Sequence, residues 1–186
     1  DQSVGANSSD PILVVTPADQ TVTNPAAFTK ALAKSIEIAQ SGAIAILGIT
    51  PNAPETGYGY IKVQSQSSSE HGYTVERFVE KPNEATAKQY LAEGGYFWNG
   101  GMFVLKASVW LAALQEFRPD IFAATKSAWQ AKASDASGDA EFIRPEKQLF
   151  NAIPSESIDY AVIEKCPGSK FPIKMVELDA GWNDLG

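Results

Sequence analysis

"PILVVTPADQTVTNPAAFTKALAKSIEIAQSGAIAILGITP" (residues 11–51) is the stretch whose reading decides the fold. Its opening, "PILVVTPAD" (11–19), is a short apolar, β-branched run bounded by proline and aspartate, which predicts a buried strand. In "NPAAFTKALAKSIEIAQSG" (24–42), Phe28, Ala31, Leu32, Ser35, Ile36 and Ala39 recur on one helical face. Asn24 suits the cap, Pro25 the first helical position, and Gly42 the stop. "AIAILGITP" (43–51) then predicts a second buried strand. Strand, helix, strand at this spacing is a βαβ unit, which predicts parallel strands covered by helices. In open sheets of that kind ligands lie beyond the carboxyl ends of the strands. That rule points to Asp19 after the first strand, to Pro51–Gly59 after the second, and to Asp184 after the last.

Downstream, "GYIKVQS" (59–65) and "YTVERFVEKP" (73–82) predict two strands of a hairpin around a polar loop. "NEATAKQYLAEGG" (83–95) predicts a short helix with a glycine stop, and "YFWNGGMFVLKA" (96–107) returns to strand. Helices are expected near 107–117, 119–133 and 141–151, and a last strand at "FPIKMVEL" (171–178). The expected fold class is α/β with a mixed, mainly parallel sheet.

Composition narrows the function. The chain has 186 residues, 44% hydrophobic and 20% charged, as expected of one globular domain. One cysteine, Cys166, excludes a disulfide framework and a thiolate metal cluster and fits a reducing compartment. The single histidine, His71, sits in a polar loop, so histidine-based triads and His-rich zinc sites are set aside. A formal charge of −7 without a cluster of lysines and arginines argues against nucleic acid and anionic membranes. No apolar run approaches the roughly 20 residues of a membrane span. The chain begins without methionine and stops just after a Trp-Asn-Asp-Leu-Gly string, so it reads as a portion of a longer protein.

Several short stretches carry polar groups that could do chemistry. In "PETGYGYI" (54–61), Gly57 and Gly59 interrupt an aromatic-rich strand start, either as a plain turn or because the main chain touches a ligand. Asp19 and Asp184, both at strand ends, are ordinary turn residues unless they converge on one divalent cation, since magnesium takes few carboxylates and keeps places for phosphate oxygens. Glu80 and Lys81 in "FVEKP" should point to opposite faces, which disfavours a mutual ion pair. Their functional reading gives Glu80 to sugar hydroxyls and Lys81 to a phosphate. Asn99, Gly100 and Gly101 form either a bulge or a pocket-lining strand, while Phe97, Trp98 and Phe103 are expected in the core. Ser157 caps a helix start that places Asp159 in its first turn.

Taken in order, "TPADQ", "PETGYGYI", "FVEKP", "YFWNGGMFV", "SIDYAVIEK" and "GWNDLG" resemble the bacterial mannose-1-phosphate guanylyltransferases, found alone or fused to a phosphomannose isomerase domain. The resemblance runs over almost the whole chain. It implies a Rossmann-like nucleotidyltransferase domain, of which residues 1–186 would be the C-terminal portion. It implies a cytoplasmic enzyme that converts mannose 1-phosphate and GTP to GDP-mannose and pyrophosphate with Mg2+, by in-line attack, for polysaccharide synthesis. By motif, Asp19 and Asp184 would hold the metal, Glu80 the sugar hydroxyls and Lys81 the sugar phosphate. Tyr58, Gly59, Asn99 and Gly100 would line the sugar pocket, with Asp159 near the sugar or metal.

Two departures stand out. Gln20 occupies the place where the family commonly has histidine, and the Gly-rich segment that wraps the GTP phosphates is absent from the chain. The resemblance therefore implies the sugar side of the site without independent turnover. A sheet without its first strand also predicts an exposed edge and homo-oligomer formation. The rival readings are a nucleotidyltransferase for glucose 1-phosphate with TTP or UTP, a non-catalytic sugar-nucleotide binding module, and a plain structural α/β domain.

Overall fold

A βαβ crossover makes its two strands parallel to one another but does not make them neighbours. The computed structural model, which describes residues 10–67, 69–137 and 140–184, shows what comes between them. Ile12–Val15 forms β1, Gln20–Val22 β2, Pro25–Gln40 α1 and Ile44–Ile49 β3, followed by a hairpin of β4 (Tyr60–Val63) and β5 (Tyr73–Val79). Then come α2 (Glu84–Glu93), the long β6 (Tyr96–Lys106), α3 (Ala107–Phe117) and α4 (Pro119–Gln130). The last elements are a β7–β8 hairpin (Ala133–Ser137, Ala140–Arg144), α5 (Lys147–Asn151), α6 (Ile158–Ala161), β9 (Ile173–Glu177) and β10 (Trp182–Asp184).

The main sheet has the order β1-β6-β3-β9-β5-β4, and β4 pairs with β6 as well, so the sheet curls back on itself. The α/β class and the mixed sheet are as the pattern predicts. The expected predominance of parallel strands is not: β3–β9 is parallel, while β1–β6, β3–β6, β9–β5, β5–β4 and β4–β6 are antiparallel. The reason is β6, long enough to run between the two strands of the βαβ unit and to pair on both of its edges. This also places β1 at an edge, where Val14 and Val15 are exposed rather than buried.

α1 starts as predicted: the Asn24 side chain accepts from the Ala27 N–H at 3.1 Å, Pro25 opens the helix, and Gly42 turns the chain at φ +90°. Its Ala31, Ile38 and Ala39 pack on Ala45, Leu47, Val104 and Val176 of one sheet face. Ile44, Ile46, Phe103, Ile173 and Met175 point the other way, into the core under α3 and α6. Near Pro145 the helix expected over 141–151 is replaced by β8 and the short α5, and α4 ends at Gln130. Proline disfavours helical geometry at the residue before it, which is Arg144, and Glu146 caps the helix that follows by accepting from Leu149 N–H. Cys166 is buried, its thiol pushed up to about 12 by burial, and His71 is exposed in a 3-10 turn.

Candidate functional site

Four strand ends meet on one side of the sheet. The carboxyl ends of β3 and β5 lie beside the starts of β4 and β6, because Ile49 and Tyr60 both stand opposite Trp98 and Val79 stands opposite Tyr60. At this junction β6 carries a bulge: Ile46 opposes Phe103 but Gly48 already opposes Asn99. The extra residues include Gly100 and Gly101, the latter at φ +68°. The Asn99 side chain fixes the bend, its Oδ1 accepting from Gly101 N–H at 2.9 Å while its Nδ2 donates to Asp159 Oδ1 at 2.9 Å. The bulge thus re-aims a polar side chain at the sheet end. Gly100 is held there by space, since a Cβ would lie 3.0 Å from the Leu47 carbonyl and 2.7 Å from Ile49 Cδ1. Gly100→Ala should therefore cost roughly 1–3 kcal/mol, read as a lower denaturant midpoint with an unchanged slope.

Around Asn99 the structure gathers Gly59, Glu80 and Asp159. Asn99 N–H donates to the Gly59 carbonyl at 2.7 Å. Gly59 lies so close to Glu80 that a Cβ would collide with its Oε2, and it would stand 3.2 Å from Asn99 Cβ. The room left by the missing side chain is where the Glu80 carboxylate sits. That side chain is 9% exposed, and Oε2 is buried without a hydrogen-bond partner among the described residues. Burial, reinforced by Asp159 and Glu164 and opposed by Lys81, pushes the Glu80 carboxyl up to about 7. Asp159, capped into place by Ser157 at the start of α6, is raised as well, chiefly by burial and against its bond from Asn99.

Lys81 departs from the strand reading. β5 ends at Val79, and Lys81 adopts φ +46°, alone among the described non-glycine residues in having a positive φ. This turn brings its Nζ to 3.9 Å from Glu80 Oε1, where two successive strand residues would have pointed apart. The left-handed conformation costs about 1–2 kcal/mol, and it leaves the ammonium largely in solvent beside the carboxylate pair. Gly57, by contrast, sits in an exposed bend without a positive φ, and nothing lies within 4 Å of where its Cβ would be. The turn it occupies does not require glycine.

The second half of the site lies on the opposite face of the same strands. Tyr58 meets Trp98 and Trp182 edge-on, with ring centroids 5.2 and 5.5 Å apart. Trp182 belongs to β10, which pairs with β2 so that Asp184 stands opposite Gln20, the neighbour of Asp19. Residues at the two ends of the chain thereby arrive at one place. Asp184 lies close enough to Tyr58 to help burial push the tyrosine hydroxyl up, together with Glu55. A pocket of about 250 Å³ opens here between Thr50, Glu55, Tyr58, Trp98, Trp182 and Asp184. Trp98 and Phe103 are core residues, as expected. Sequence reasoning missed the β2–β10 ribbon, because three-residue strands carry too little alternation to be read.

The nucleotidyl transferase family model matches residues 2–186. The chain belongs to that family. Its relatives include the xanthan biosynthesis protein XanB of Xanthomonas campestris pv. campestris (strain B100), 46% identical over 97% of this chain. The mannose-1-phosphate guanylyltransferase of Escherichia coli K12 is 40% identical over 96% of it. This chain spans 36% of the length of each of those two relatives. Among solved structures, mannose-6-phosphate isomerase from Helicobacter pylori is 31% identical with a TM-score of 0.83, covering 93% of this chain and 64% of that one. Membership supports the Rossmann-like nucleotidyltransferase reading of the fold. No helix among the described residues is long and apolar enough to cross a membrane.

Proposed function

We propose that the protein carrying this chain is a mannose-1-phosphate guanylyltransferase, with residues 1–186 forming the sugar-phosphate side of one catalytic domain. The observation that carries the reading is the meeting of Gly59, Glu80, Asn99 and Asp159 around a buried carboxylate oxygen with no hydrogen-bond partner among the described residues. A buried unpaired acceptor is costly to keep, and a sugar hydroxyl is the donor it lacks. The exposed Lys81 ammonium beside it fits the phosphate on the same sugar. Relatives named for mannose-1-phosphate guanylyltransferase and for xanthan biosynthesis favour mannose over glucose and a polysaccharide pathway. Cytoplasmic location, where GTP is made, belongs to the same proposal.

The reaction is a displacement at the α-phosphorus of GTP. An oxygen of mannose 1-phosphate forms the new bond, the bridge to the β-phosphate breaks, and pyrophosphate leaves in line. Such chemistry needs positioning and charge stabilisation rather than a covalent intermediate. Glu80 and Asp159 orient the hydroxyls, Lys81 holds the attacking phosphate, and Asn99 and Gly100 shape the wall. Asp184, which pairs with Gln20, and Asp19, the residue before Gln20, would hold the divalent cation, Mg2+ in this reading. Two carboxylates suit an ion that takes its remaining ligands from phosphates and water. When bound, the cation neutralises charge building on the phosphate oxygens.

The test is pyrophosphate release by the full-length protein, with mannose 1-phosphate or glucose 1-phosphate each offered with GTP, UTP or TTP. The mannose and GTP pair should dominate. Asp184→Ala should lower its kcat by roughly 100-fold or more and leave the sugar phosphate bound. Silence across the whole matrix would instead favour a binding module.

A further inference from the structure

We propose that Gln20 is a positioning residue that clamps Trp182 and so holds the strand carrying Asp184 in register beside Asp19. The inference deepens the reading above and rests on it for the role of the two aspartates. β2 and β10 are three residues each and pair with one another in a separate two-stranded ribbon, an arrangement of marginal stability by itself. One end of the ribbon is pinned: Thr23 and Asn24 N–H both donate to the Ala180 carbonyl, at 3.1 and 2.9 Å. The other end is where Asp19, Gln20 and Asp184 lie.

Alternation in the ribbon puts Gln20, Val22, Trp182 and Asp184 on its partly buried face and Thr21 and Asn183 on the exposed one. Gln20 stands opposite Asp184, so Trp182 is its diagonal neighbour, within reach of a long side chain. The contact is made: Trp182 Nε1–H donates to Gln20 Oε1 at 2.9 Å. An indole N–H can only donate, so the carbonyl of the amide must face Trp182 and its NH2 group must face away. On that other side is the β6 bulge, where a Cβ on Gly101 would lie 3.6 Å from Gln20 Nε2 and 3.1 Å from Pro17 Cγ. Gln20 is therefore wedged between the bend that aims Asn99 and the indole that packs on Tyr58. It bonds to the indole of one half of the site and lies beside the bulge of the other, although it belongs to neither set of ligands. Its amide also carries no charge beside the two aspartates.

Indole N–H resonances of the chain labelled with 15N-tryptophan test this without reference to turnover. There are four tryptophans, Trp98, Trp110, Trp129 and Trp182, and Trp182→Phe assigns the relevant peak. Gln20→Leu should move the Trp182 peak and speed amide exchange over Trp182–Asp184. The other three indole peaks should stay in place and report an intact fold. Gln20→Glu, which keeps an acceptor, should restore the Trp182 peak. Mn2+ affinity, read from water relaxation, should fall by roughly 10–100-fold in Gln20→Leu. A Trp182 peak and Trp182–Asp184 exchange indifferent to Gln20→Leu would overturn the clamp, as would an unchanged Mn2+ affinity despite a displaced indole. If the unmodified full-length protein takes up no Mn2+ with GTP present, the two-aspartate reading fails, while the indole and exchange data still decide whether Gln20 holds the strand.

Discussion

Gly59→Ala should abolish most of the sugar-phosphate affinity while leaving the fold standing. The added methyl would collide with Glu80 Oε2 and lie 3.0 Å from Phe78 Cζ and 3.2 Å from Asn99 Cβ. Phe78 is 2% exposed and packed in the core, and Asn99 is tied to Asp159 and Gly101. The carboxylate is the group that can give way. It would rotate off the position from which it faces the sugar, and displacements of about 1 Å in a positioned group can cost around 100-fold in rate. Moving a buried carboxylate oxygen toward solvent also recovers part of its desolvation cost. Stability should therefore change by no more than about 1–2 kcal/mol. Gly57→Ala, two residues earlier in open space, should change neither quantity. Calorimetric titration with mannose 1-phosphate and a thermal melt of each variant give both numbers. Unchanged binding in Gly59→Ala would mean that Glu80 does not face the ligand.

The contrast between the two glycines shows what a sequence can and cannot display. Both stand out as interruptions of an aromatic strand start, and nothing local separates them. Their difference lies in Glu80, which approaches Gly59 from β5 only because the hairpin pairs Tyr60 with Val79. The βαβ unit was legible because helix capping and apolar periodicity are local, and α1 begins on Asn24 and Pro25 as they dictate. The antiparallel insertion of β6 was not, because strand order is decided by pairing across the sheet. The same holds for Lys81. Its alternation with Glu80 argued against a contact, and the left-handed turn that creates one leaves no mark in "FVEKP" beyond the proline that follows. The grouping of Glu80, Asn99 and Asp159 was legible through the order of motifs, whereas its electrostatics required the burial of the carboxylates.

Those electrostatics predict that folding stability falls as pH rises through the neutral range, and that Glu80→Gln removes most of the fall. In the unfolded chain a glutamate releases its proton near 4.5, but in the fold Glu80 keeps it until about 7. Between those values the native state binds more protons than the unfolded state, so stability declines with increasing pH. The contribution is fully present below about 4.5 and is lost as pH passes about 7. Asp159, also raised, adds to the slope, and Lys81 reduces it. At about 1.4 kcal/mol per unit of pKa, and allowing for the partial solvation of the cluster, the effect is on the order of 2 kcal/mol. Glutamine stays neutral, so Glu80→Gln should be the more stable protein at pH 8 and nearly equal to the parent at pH 5. Urea midpoints from pH 4.5 to 8.5 would show this as two curves that diverge upward in pH; parallel curves would sink the idea. The same substitution should weaken mannose 1-phosphate binding, since a neutral amide accepts sugar hydroxyls less strongly than a carboxylate. A residue whose replacement stabilises the fold and weakens the ligand is kept for binding, and the binding must itself favour the ionised form. Ligand uptake near pH 6 should then release protons, so its apparent enthalpy should change with the ionisation enthalpy of the buffer, and this dependence should vanish in Glu80→Gln.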